Sequence, residues 1–218
     1  MAKGFANLVE PFFLLAICSS SLVELSQSLL HLKQFVFSLH ALSDEEWNRF
    51  SSIWQEGEAK RKTILTAKGE TEKTLYFVTE GVQRAYYLTA DDKEATIVFT
   101  YPFSFSGIAD SFLTQTPSNY FFETLTQSTF LKTTHAQVAE LLDQFPNLER
   151  FVSRATAHAL KGALQRQVEL QTYSAEKKFT TLLTRSPQVL RLIPHKYLAS
   201  YLGIDAATFS KLLSTVRI

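Results

Sequence analysis

The chain has 218 residues, 45% hydrophobic and 20% charged, with seven glycines and six prolines, which excludes fibrous, linker-rich and broadly disordered architectures. Its single cysteine, Cys18, excludes an internal disulfide framework, a CxxC redox pair and a four-thiolate zinc or iron–sulfur site. Net charge is +1 but unevenly spread: residues 176–218 carry seven basic residues against Glu176 and Asp205, a local +5 on an otherwise acidic body, the asymmetry expected when one end meets phosphate.

At the N-terminus, Phe12–Cys18 reads FFLLAIC. This run is too short for a membrane span and is interrupted upstream by Glu10 and Pro11. A secretory signal or lipoprotein box is the competing reading, although Ile17 stands where such a box wants a small residue. Leu22, Leu25, Leu29, Leu32, Phe35 and Val36 recur at helical spacing, so residues 1–41 are expected to form a helical extension packed on the next domain, in a cytoplasmic protein. A short acidic helix follows from Ser43 to Trp54, with Ser43 and Glu46 as a capping box.

From about Ala59 to Phe130 the pattern turns to strand. Lys60–Thr66, Thr74–Thr79, Val82–Thr89 and Glu94–Phe99 are strand-like, punctuated by Lys68-Gly69-Glu70, Glu80-Gly81 and Ala90-Asp91-Asp92-Lys93. Thirteen aromatics between Tyr76 and Phe130 suit a pleated sheet with a large buried face. Strands this short, so spaced, predict a β-sandwich or jelly roll over 42–146, closing with a strand at Thr129–Thr133 and a helix from Ala136 to Asp143.

A long helix over 147–173 carries the stripe Leu148, Phe151, Val152, Ala155, Ala159, Leu160, Ala163, Leu164 and Val168. That stripe needs a partner: either the β domain or, because its small residues permit close approach, the same helix of a second copy in a homodimer.

The segment 174–218 holds the most specific motif. Ile193–Val216 reads IPHKYLASYLGIDAATFSKLLSTV. Pro194 suits the first turn of one helix, Gly203 supplies a tight turn, and Asp205 is a natural N-cap for a second. Two short helices crossing steeply need apolar residues around the turn at Leu198, Leu202, Ile204, Phe209 and Leu212 and a small one at Ala199; every slot is filled. A helix-turn-helix places its second helix in the major groove of double-stranded DNA. The outward residues Ala206, Ala207, Thr208, Ser210, Lys211 and Ser214, with Lys196 on the first helix, are the expected DNA contacts.

A β-rich domain, a long helix and a terminal helix-turn-helix, in that order, resemble the cyclic-AMP receptor protein/FNR superfamily of bacterial transcription regulators. The resemblance runs from about Leu42 to Val216 and rests on Leu75–Leu88, Ser174-Ala175-Glu176 and Ile193–Lys211. It implies an α+β chain: a cyclic-nucleotide-binding-like jelly roll sensing a small molecule, a dimerising helix and a DNA-reading helix. Relatives often carry Arg and Glu where this chain has Ala206 and Ala207, and the chain stops five residues past Leu213, short of a β-hairpin wing.

Cyclic-nucleotide members hold the ribose with a Gly-Glu pair and the phosphate with an Arg followed by a small hydroxyl residue. Here the corresponding stretches are Phe105-Ser106-Gly107-Ile108 and Pro117-Ser118-Asn119-Tyr120, and no arginine occurs from Ala85 to Glu149. The effector is therefore expected not to be cyclic AMP, with Arg84, Ser106, Gly107, Ser118 and Asn119 as candidate ligand contacts. No cofactor or metal is expected. GxSxG, HExxH, P-loop and GxGxxG motifs are all lacking. A cupin-like enzyme would need clustered histidines, and Ala59–Thr133 has none. The remaining alternative is a degenerate relative that dimerises and senses without specific DNA binding.

Overall fold

The computed structural model describes the backbone of residues 10–216 and side chains from Leu25 onward. The first element is a helix, α1 (Glu10–Leu39). The apolar run Phe12–Cys18 lies on it with side chains outside those described, and so does Leu22. Leu32 and Val36, one helical turn apart, are fully buried, so the lower part of α1 is integral to the fold. The next helix, α2 (Asp44–Ser52), starts at the expected capping box: the Ser43 hydroxyl accepts from the Glu46 N–H, and the Glu46 carboxylate accepts from the Ser43 N–H.

Eight strands follow: β1 (Gln55–Ala59), β2 (Ile64–Thr66), β3 (Thr74–Glu80), β4 (Gln83–Leu88), β5 (Glu94–Thr100), β6 (Phe105–Ser106), β7 (Phe121–Thr124) and β8 (Ser128–Thr134), with a short helix α3 (Ala109–Thr114) between β6 and β7. They form two antiparallel sheets, ordered β1-β8-β3-β6 and β2-β7-β4-β5, which is the expected sandwich. Tyr76 and Val78 of β3 and Phe130 of β8 face Ala85, Ile108 and Phe122 in the interior. Phe77 and Leu131, one residue out of step, face α1 and α2 instead. A strand that alternates between two buried faces reads as a continuous apolar run, as Leu75–Val78 of β3 does. The β3–β4 connection turns at Gly81 (φ +90°), where a Cβ would lie 2.3 Å from the Ser128 hydroxyl.

Four short elements depart from the expected pattern. Lys60–Thr63 belongs to a turn, with Lys62 at φ 63°, so only Ile64–Thr66 of the first expected strand is β structure. β1 has largely exposed side chains and is recruited through backbone pairing with β8, leaving no hydrophobic alternation to read. β7 and α3, of four and six residues, are too short to display a period.

Five helices and a short connecting one, α7, follow among the described residues: α4 (His135–Gln144), α5 (Pro146–Thr172), α6 (Ala175–Arg185), α7 (Val189–Leu192), α8 (His195–Leu202) and α9 (Ala206–Thr215). The N-terminal part of α5 buries Leu148 and Phe151 against α2 and the first sheet. Further along, Leu160, Leu164 and Val168 stand 57%, 54% and 50% exposed, so the β domain does not cover this part of the stripe. Ser174 then caps α6 by accepting from the Lys177 N–H at 3.2 Å.

Candidate functional site

The first candidate region lies at the β2–β3 loop and the start of α3. Gly107 and Ile108 lead into α3, and the Ile108 side chain is buried in the sandwich interior beside Tyr76 and Phe122. Glu72, from the β2–β3 loop, is 2% exposed. Its carboxylate accepts from the Thr66 hydroxyl (2.6 Å), the Thr74 N–H (3.1 Å) and the Ile108 N–H (3.4 Å). Burial raises the Glu72 pKa, and these hydrogen bonds oppose that rise. The acidic group here is thus supplied by a neighbouring loop and is occupied by its own chain.

The sequence-expected ligand residues divide into two sets. Gly107 meets the β2–β3 loop near Glu72, Ser106 beside it pairs with Tyr76 of β3, and Ser118 meets the loop near Glu70 through a pair of 2.8 Å backbone hydrogen bonds joining residues 69–70 to Ser118. The hydroxyls of both serines are committed. Ser106 shares a 2.7 Å bond with Thr100, which donates to Gln83, which in turn donates to Ser128. Ser118 donates to the Tyr120 carbonyl and accepts from the Tyr120 N–H, closing its own turn, while Asn119 is exposed.

Arg84 is not brought to this region. Its strand neighbour Ala85 faces the interior, so Arg84 projects from the opposite face of the sheet. There it is 1% exposed and donates to Glu123 (2.6 Å), Glu94 (2.5 Å) and Thr96 (3.2 Å), between the rings of Tyr86 and Tyr197. Strand alternation directs Arg84, expected as a ligand contact, at the C-terminal helices, away from Ser106, Gly107, Ser118 and Asn119.

The second candidate region is α8–α9. Leu198, Leu202 and Phe209 are fully or almost fully buried, with Ala199 beside them and Ile204 and Leu212 packed on the cluster, as the spacing around Gly203 predicted. Gly203 adopts φ 61°, ψ 39°, the left-handed conformation that ends α8. Asp205 caps α9: its carboxylate accepts from both the N–H and the hydroxyl of Thr208, each at 2.7 Å, and these bonds hold its pKa below the ordinary aspartate value. The Thr208 hydroxyl is therefore already engaged. Ala206, Ala207, Ser210, Lys211 and Ser214 are exposed together on one side of α9, and Ser214 donates to the Lys211 carbonyl. Lys196 is exposed on α8, its ammonium 4.6 Å from the ring centre of Tyr197.

The attachment of α8 to the sandwich was not read from the sequence. The Ser200 hydroxyl accepts from the Thr96 N–H and donates to the Glu94 carbonyl, both at 2.9 Å, satisfying the open edge of β5. Tyr201 packs on Phe99, and its carbonyl accepts from Arg166 of α5. Tyr197, Ser200 and Tyr201 share one face of α8 that the helix-turn-helix pattern leaves unused, and this aromatic face was the available signal.

Residues 56–145 match the family model of the cyclic nucleotide-binding domain. The matched stretch runs from β1 to the end of α4 and so spans the sandwich. Among solved structures, FixK2 from Bradyrhizobium japonicum superposes with a TM-score of 0.67 at 18% identity, covering 74% of this chain and 83% of that one. A putative transcriptional regulator of the CRP/FNR family from Eubacterium rectale gives 0.63 at 14% identity, covering 79% and 82%. The c-di-GMP-responsive global regulator CLP of Xanthomonas campestris gives 0.60 at 15%, covering 79% and 90%. No curated protein sequence matches the chain. At these identities the likeness establishes the fold alone: an antiparallel sandwich, a long helix and C-terminal helices, arranged as in those structures. In the two stretches that the sequence resemblance assigns to ribose and phosphate, Ile108 is buried and Ser118 closes its own turn. Among the described residues no helix is long and apolar enough to cross a membrane, and no cluster of His, Cys, Asp or Glu could hold a metal ion.

Proposed function

We propose that this protein is an effector-responsive, DNA-binding transcription regulator that acts as a homodimer, with an effector other than cyclic AMP. The observation that carries this reading is α9: a capped helix, set on a packed turn, with Ala206, Ala207, Ser210, Lys211 and Ser214 turned together to solvent. A major groove accepts such a helix. Lys211 can reach guanine or phosphate, Ser210 and Ser214 can bond bases or phosphates, and the alanines suit thymine methyls. Lys196 and Lys177 supply exposed positive charge for the backbone.

The dimer reading rests on Leu160, Leu164 and Val168, an exposed apolar row on one helix that a second copy of the same helix would cover. A two-fold dimer would present its two α9 helices to half-sites about one DNA turn apart.

The test is selection of bound fragments from a genomic library by the full-length protein, followed by calorimetry with cyclic AMP. Enrichment of a two-fold-symmetric motif, with no heat from cyclic AMP at micromolar concentrations, is expected. No enriched motif would leave a dimeric sensor without specific DNA binding.

A further inference from the structure

Between the sandwich and the C-terminal helices runs a groove of about 640 Å³, within the range of small-molecule sites. One wall is the β7–β8 turn with Arg61 beside it; the other is α7 and the start of α8, with Arg191 and His195. Its floor includes Leu125 and Ile193, which belong to the buried cluster that unites the two parts.

The charge of this groove is one-sided. Among the described residues no Asp or Glu lines it. Neither Arg61 nor Arg191 makes an ion pair among the described residues. Arg61 is nevertheless positioned, because its Nε donates to the Leu125 carbonyl at 3.2 Å, and among the described residues both terminal nitrogens of the guanidinium are unengaged. A planar guanidinium with free terminal donors matches an oxyanion in a fork geometry. A carboxylate offers one such edge. A tetrahedral phosphate offers several, so a single group can bridge forks reaching from two walls.

His195 connects the groove to the reading helix. Its ring packs on Phe209 at 5.4 Å between centres, and Phe209 is the buried residue by which α9 is seated. A group bound beside His195 thus acts on a side chain that fixes α9.

We propose that this groove is an effector site for a small phosphate-bearing molecule, held between Arg61 of the sandwich and Arg191 of the C-terminal helices. The ligand's role as effector rests on the regulator reading above; its binding does not. Because Arg61 lies on the sandwich, the site requires both parts of the chain. Backbone phosphates of DNA share the chemistry, and the test separates the two sources.

Amide shifts of the full-length protein would be followed by NMR during titration with pyrophosphate and with ADP. Saturable shifts at Gln127, Arg191 and His195 that spread to Phe209 are expected. Arg61→Glu and Arg191→Glu should each weaken binding about tenfold or more, while the remaining spectrum stays that of the folded protein. Arg61→Lys keeps the charge but loses the fork, and should fall between. No saturable shifts in the groove, or shifts that survive both charge reversals, would overturn the proposal. Duplex DNA is titrated in parallel. Loss of DNA binding in both variants without any small-anion binding would assign the groove to the DNA backbone and likewise overturn it. Small-anion binding without DNA binding would leave the site standing and remove the regulator reading.

Discussion

The guanidinium of Arg84, on β4, lies 3.7 Å from the ring centre of Tyr197, on α8. The same guanidinium bonds two carboxylates, Glu94 and Glu123, and the Thr96 hydroxyl. One fully buried cation thus ties strands β4, β5 and β7 together and presents a flat face to the first helix of the helix-turn-helix. Ser200 adds two hydrogen bonds from α8 to the β5 edge, so α8 occupies the place of a further strand.

Removing this cation leaves Glu123 and Glu94 facing each other with no countercharge. Arg84→Ala is expected to destabilise the protein by about 3 kcal/mol, a value reduced for the partial exposure of Glu94. Arg84→Lys should recover only a small part, because one ammonium cannot reproduce three directed N–H donors and a stacked plane. Denaturant unfolding at constant m-value checks this, and a loss below about 1 kcal/mol for Arg84→Ala would mean that the hub is solvated in solution.

The exposed row on α5 yields a mass measurement. Leu164→Asp and Leu160→Asp should each convert a dimer to folded monomers at micromolar concentration, since a charge buried in a helix seam lacks a partner. Light scattering reads the mass and circular dichroism the helix content. A wild-type monomer under the same conditions would contradict the dimer.

Lys211 separates two modes of DNA contact. If it reads a guanine, Lys211→Ala should cost about 1–3 kcal/mol and relax preference at one base pair in each half-site. If it meets only phosphate, affinity should fall across all sequences and the salt slope should shrink by about one per subunit. A salt series on wild-type and variant distinguishes these outcomes, and an unchanged affinity would place Lys211 outside the interface.

Glu169 gives a pH prediction. It is 1% exposed on α5; burial pushes its pKa up, but bonds from Arg185 (2.5 Å) and Gln165 (3.1 Å) outweigh burial and hold it below the ordinary glutamate value. A depressed folded-state pKa contributes stability above the unfolded value of about 4.3 and loses it as pH falls through the folded value. Glu72 has the opposite sign: its raised pKa favours the protonated form, and that contribution is lost as pH rises. Glu169→Gln should therefore lower stability at pH 7 and flatten the decline below about pH 4. Glu72→Gln should flatten the profile on the neutral side. Thermal melts across the pH range check both.

The sequence by itself determined whatever is encoded in neighbouring residues. The capping box at Ser43 and Glu46, the runs of β3 and β8, and the helix-turn-helix slots around Gly203 are local patterns, because period, cap and turn chemistry act over a few residues. The tertiary structure alone decided what depends on approach between distant segments. Arg84 was legible as a cation of the β region, yet only the pairing of β4 with β5 and β7 directs it onto Tyr197. Glu72 carried no motif, and it occupies its buried position because the β2–β3 loop folds against Ile108. Arg61 and Arg191, far apart in the chain, share a groove only because the C-terminal helices dock on the sandwich. Periodicity fixes which face a side chain takes; what stands opposite that face is set by packing, and packing is a property of the whole chain.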